Sequence, residues 1–172
     1  STGGLVSAVA VLGPSLLPGA ANLSLDSGFT PTYSIGNRVF RDVADDGLLP
    51  ASGSDAAGLT NVTLAVFAAD GSGNPTGAAL ATTSTDTNGF YRFDGLVAGT
   101  YVVVVDVANS PVLAGSTSAT GASADVTLAG DRVDHGLDAP LGAGSVLPGG
   151  IASTPVAVGP GLQPVDEATG SA

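Results

Sequence analysis

The sequence predicts an all-β fold, a β-sandwich of about seven short strands with extended segments at both ends. Three observations carry that prediction. The stretch Thr82 to Val107, TTSTDTNGFYRFDGLVAGTYVVVVDV, alternates strand-like runs with turn residues. The 172 residues include 26 Gly and 11 Pro, and no run longer than ten residues combines 3.6-residue periodicity with helix caps. Hydrophobic residues make up 44% of the chain but aromatics only 5%, so its apolar content is mainly Ala, Val and Leu, which pack thin β layers rather than wide pockets.

The elements divide into three zones. Residues 1–31 are an N-terminal extension, with a strand-like apolar run (LVSAVAVL) inside residues 4–12 and a Gly/Pro-rich linker after it. Residues 32–140 carry the regular pattern, with strands expected near 32–41, 61–69, 78–84, 90–94, 100–108, 122–128 and 132–137. In this zone Asp86 to Gly89 (DTNG) is turn chemistry, because Asn and Gly tolerate positive φ and Asp caps its own backbone. Tyr91 and Phe93 then alternate on one strand face, and Tyr101 opens a valine run typical of a buried strand. Residues 141–172 form a Gly/Pro/Ala-rich C-terminal extension with one further strand candidate, IASTPVAV at 151–158. The linkers SLLPGAA at 15–21 and SVLPGGI at 145–151 share chemistry without forming a folded repeat.

Charge narrows the function classes. Fifteen acidic residues face four Arg and no Lys, a net charge of -11. That balance argues against nucleic acid, whose phosphates need Lys and Arg, and disfavours anionic membrane surfaces. The apolar run Leu5 to Leu12 is eight residues, too short to span a bilayer, and no transmembrane segment is expected. All acids but Glu167 are Asp, which suits turns and calcium loops better than helices. With no Cys, the chain can form neither disulfides nor zinc-thiolate sites.

Catalytic patterns are missing. His135 is the single histidine, on an expected strand, and reads as structural. No nucleophile elbow, P-loop or H-E-x-x-H motif occurs, and nothing points to a cleft that would raise the pKa of a carboxylate such as Asp45 or Asp46. The chain therefore reads as a non-enzyme with no certain cofactor. Two glycosylation sequons occur, at Asn22 and Asn61, so attached glycans are candidate partners.

Three blocks carry a family resemblance. SIGNRVFRDVADDG at 34–47 resembles the opening of SdrD-type B domains, the Cna-B-like modules of bacterial surface proteins. TDTNGFYRFDGLVAGTYVV at 85–103 resembles the same family's hairpin, and DVTLAGDRVDHGLDAP at 125–140 its closing strands. The resemblance implies an Ig-like, prealbumin-like sandwich, located outside the cell or at its surface, that serves as a stalk, spacer or adhesive segment. It also implies a calcium loop. Asp42 and Asp46 match the first and fifth positions of the family's EF-hand-like loop, but Ala44 and Pro50 occupy the third and ninth and no Glu closes it. Asp45, Asp55 and Asp86 are the candidates to complete a weak calcium site. The Lys-based isopeptide bond of related modules is impossible here, since the chain has no Lys.

Two functions compete. In the first, the chain is a subunit of an extracellular homopolymeric filament. Its run Leu5, Val6, Val9, Val11 and Leu12 inserts into a neighbouring sandwich, with IASTPVAV as a second candidate donor. About four buried side chains at roughly 1.5–3 kcal/mol each provide on the order of 6–12 kcal/mol before ordering costs. In the second, the chain is a monomeric spacer or adhesive module of a longer surface protein.

Overall fold

A computed structural model describes residues 29–49, 57–120 and 136–162. The expected strand at 122–128 and most of that at 132–137 lie outside these residues, as does the 4–12 run. The chain divides into two units, Ser1–Pro31 and Thr32–Ala172.

The second unit is an all-β sandwich of two sheets. Seven strands occur in order among the described residues: β1 (Tyr33–Arg38), β2 (Thr63–Ala69), β3 (Pro75–Ser84), β4 (Phe90–Leu96), β5 (Gly99–Val105), β6 (Ile151–Ala152) and β7 (Val156–Val158). A 3-10 turn, Pro111–Leu113, follows β5. β1 and β4 pair antiparallel as one sheet. The larger sheet runs β3-β2-β5-β6, and β7 also pairs with β5.

Facing side chains of the two sheets make the main core. Ile35 of β1 and Phe93 and Leu96 of β4 meet Leu64 and Val66 of β2, Tyr101 and Val103 of β5, and Val158 of β7. The opposite face of the larger sheet is buried as well. There Ala65, Phe67, Val102, Val104 and Ala152 pack beneath Leu141, Val146 and Leu147. This double burial explains why β2 and β5 read as continuous apolar runs (TLAVFAA and YVVVV) rather than alternating ones.

The Asp-rich turns also follow from local chemistry. Asp70 Oδ1 accepts the N–H groups of Ser72 (2.8 Å) and Asn74 (2.9 Å), closing the β2–β3 hairpin. Asp86 Oδ1 does the same for Asn88 (2.7 Å) and Phe90 (2.9 Å), and Gly89 supplies the positive φ of 85°. Asp106 accepts the Asn109 N–H at 3.1 Å. A carboxylate one methylene from the backbone reaches donors two to four residues ahead, which Glu does less well.

Three expectations change in detail. β3 begins at Pro75, earlier than expected, because the turn is confined to Asp70–Asn74. β5 ends at Val105, where Asp106 turns the chain. The 151–158 run splits into two short strands that both pair with β5 of the same chain. IASTPVAV is therefore not a donor for a neighbour: its hydrogen-bonding edge and its buried Ala152 and Val158 already serve its own sheet.

Candidate functional site

The acidic loop after β1 is closed at its base by backbone pairing. Phe40 bridges Gly58, Arg41 N–H donates to the Ala57 carbonyl at 2.9 Å, and Leu59 N–H to the Val39 carbonyl at 2.9 Å. Val39 N–H in turn donates to the Gly89 carbonyl at 2.8 Å, so the DTNG turn sits against the loop base. The approach is too tight for side chains: a Cβ on Gly58 would lie 1.8 Å from the Asn88 carbonyl oxygen, and one on Gly89 2.3 Å from that of Val39. Arg38 covers this junction, with its guanidinium 5.3 Å from the Phe90 ring centre and its Nε donating to the Asn88 carbonyl at 2.8 Å.

Within the loop the carboxylates act on nearby backbone donors. Asp42 accepts from Asp45 N–H (2.7 Å) through one oxygen and from Gly47 N–H (2.8 Å) through the other. Asp46 accepts from Leu48 N–H at 3.0 Å. Asp45 is held at a φ of 54°, and its carboxylate accepts the Thr120 N–H at 2.8 Å. Asp42, Asp45 and Asp46 thus share one loop, whereas Asp86 caps the separate turn described above. Asp55 lies outside the described residues. No group of three or more His, Cys, Asp or Glu suited to a metal occurs among the described residues.

A second polar cluster lies across β1 and β4. Ser34 Oγ donates to Asp94 at 2.5 Å, Arg92 Nε donates to Asp94 at 2.6 Å, and Arg92 also reaches Ser34 Oγ at 3.1 Å. The Ser34 hydroxyl, then the Arg92 guanidinium, hold the Asp94 carboxyl below its ordinary value. The cluster is solvent-exposed and has no histidine partner among the described residues, so it reads as a cross-strand clamp.

Of the remaining sequence candidates, Asn61 is exposed in the turn before β2 at a φ of 57°. The Thr63 hydroxyl of its sequon donates to the Asn109 carbonyl at 3.1 Å. Asn22, His135 and the assembly residues Leu5, Val6, Val9, Val11 and Leu12 lie outside the described residues. Among the described residues no helix is long and apolar enough to cross a membrane. Sequence reasoning missed the Gly58–Gly89 junction and the Arg38–Phe90 stack, whose members are distant in the chain.

The family model for the SdrD B-like domain matches residues 33–139. Serine-aspartate repeat-containing protein D of Staphylococcus aureus (strain Newman) is 36% identical over 139 residues, covering 73% of this chain and 10% of that protein. Serine-aspartate repeat-containing protein I of Staphylococcus saprophyticus is 40% identical over 95 residues, 54% of this chain and 4% of that protein. A fibrinogen-binding protein of Staphylococcus epidermidis is 40% identical over 90 residues, 51% of this chain and 7% of that protein. The chain thus spans a tenth or less of the length of these relatives, whose names are not those of enzymes.

Proposed function

The chain belongs to the SdrD B-like domain family, and from that premise we propose that it is a structural subunit of an extracellular filament, joined head-to-tail by exchange of residues 4–12 into a neighbouring sandwich. Family membership makes it a surface-protein module of the stalk or spacer type, located at the cell surface or outside the cell. The filament is the finer reading. The observation that carries it is in the sequence: an uncharged apolar run, LVSAVAVL, stands ahead of a module whose described residues form two buried clusters. A greasy, uncharged run ahead of such a module has a reason to bury itself elsewhere. Strand addition offers main-chain hydrogen bonds together with side-chain burial, and repeated without closure it yields a fibre.

The test is removal of residues 1–13, followed by sedimentation and circular dichroism. A filament subunit keeps its sandwich and stops polymerising. A strand belonging to its own sheet takes the fold's stability with it.

The spacer reading is favoured by one observation, the small share of each relative that the chain matches. In that case the purified chain stays monomeric. Two additions at the surface are proposed with either reading. Calcium at Asp42, Asp45, Asp46, Asp55 and Asp86 is tested by calorimetric titration, and heat with thermal stabilisation at millimolar calcium supports it. Glycans at Asn22 or Asn61 are tested by the mass of the intact chain.

A further inference from the structure

We infer that the outer edge of β3 is the acceptor for residues 5–12 of a second copy, an inference that rests on the strand-exchange reading above. β3 is the terminal strand of the larger sheet, paired with β2 on one side, and no described residue pairs with its other side. A terminal strand presents a row of unsatisfied N–H and C=O groups, which natural proteins usually blunt with charge, shortness or cover. β3 lacks the first two. It runs ten residues, PTGAALATTS, with no charged side chain and mostly exposed positions. Leu80 is 56% exposed.

The other edges are poorer acceptors. At the far end of the sheet β6 has two residues and β7 three, separated by a segment that includes Pro155, which has no N–H to donate. In the smaller sheet β1 carries Arg38, and β4 carries Arg92 and Asp94. β3 is therefore the one long uncharged edge among the described residues. Its pairing with β2 is regular from Ala81 to Ser84 and slips between Val66 and Ala68, with Gly77 at a φ of 76°. The regular rungs provide a fixed register for an added strand, and the bulge marks where it must bend.

The occupant matches in length and chemistry. LVSAVAVL is eight residues without charge, and no charged residue precedes Asp26. As a strand it extends about 26 Å, against about 33 Å for the ten residues of β3. Its two faces, Leu5/Ser7/Val9/Val11 and Val6/Ala8/Ala10/Leu12, are both dominated by apolar groups, so either face can lie over Leu80. Residues 13–31 give the arm reach, about 24 Å as a flexible coil and roughly 60 Å fully extended.

The absence of native Cys permits a direct test. Full-length chain carrying Val9→Cys with Thr82→Cys, or with Ser84→Cys for the adjacent rung, is assembled and oxidised. Ala157→Cys on β7 replaces the β3 cysteine as the control. The expected result is a ladder of covalent oligomers with a β3 cysteine and none with Ala157→Cys. The paired change Leu80→Lys with Thr82→Lys should abolish fibres while leaving the melting temperature within a few degrees. A ladder restricted to the Ala157→Cys control, or fibres that persist in the lysine variant, overturns the β3 assignment. If removal of residues 1–13 still abolishes assembly in that case, strand exchange itself stands. A disulfide that closes within one chain, or a wild-type chain that stays monomeric, overturns both.

Discussion

Thr85 and Val62 are bonded to each other twice. The Thr85 N–H donates to the Val62 carbonyl at 2.9 Å, and the Val62 N–H donates back to Thr85 Oγ1 at 2.9 Å. The same hydroxyl donates to the Leu59 carbonyl at 2.6 Å. Thr85 is 3% exposed and Val62 fully buried, so this one side chain satisfies two backbone groups where the chain leaves β3 and enters β2. Thr85→Val keeps the shape and strands both groups. The expected loss is about 1–3 kcal/mol, read as a lower urea midpoint with an unchanged slope. Retention of wild-type stability contradicts the account of this junction.

The two faces of the larger sheet should respond alike to truncation. Val66 faces the smaller sheet, Val104 faces the cover formed by Leu141, Val146 and Leu147, and both are 0% exposed. Val66→Ala and Val104→Ala are each expected to cost roughly 1.5–3 kcal/mol. A Val104→Ala variant with no measurable loss would mean that the cover is not packed on that face.

The Gly58–Gly89 contact should not tolerate a methyl group. Gly89 also needs its positive φ of 85°, so Gly89→Ala adds backbone strain to the clash with the Val39 carbonyl. Strain alone is about 1–3 kcal/mol, and the backbone shift adds to it. Thermal melting should fall more for Gly89→Ala than for Gly71→Ala, where an added Cβ meets nothing within 4 Å. Equal melting temperatures for the two variants contradict the close approach.

Asp70 makes the hairpin turn sensitive to acid. The Asn74 N–H, then the Ser72 N–H, hold its carboxyl below the ordinary value of 3.8. A folded-state pKa below the unfolded one means that stabilisation is present above pH 3.8 and is lost as pH falls through the folded value. Asp70→Ala should therefore melt below wild type at neutral pH, and the gap should close in strong acid. A gap that stays constant with pH indicates that the carboxylate charge plays no part.

Sequence patterns revealed much of this fold. The apolar runs of β2 and β5, the DTNG turn and the alternation of Tyr91 and Phe93 were legible because each depends on neighbours a few residues apart. What was not legible depends on distant partners. Leu141, Val146 and Leu147 are isolated apolar residues in a Gly/Pro-rich stretch with no period, so their role as a cover appears only once Phe67 and Val104 lie beneath them. The Gly58–Gly89 junction joins two glycines that look like ordinary turn residues. The terminal position of β3 among the described strands was likewise hidden, because PTGAALATTS shows weak strand propensity and only the strand order reveals it.

The most direct measurement is negative-stain electron microscopy of the purified full-length chain at high concentration. The account predicts unbranched fibres of uniform width, replaced by dispersed folded particles when residues 1–13 are absent. A full-length sample made only of single, uniform particles contradicts it.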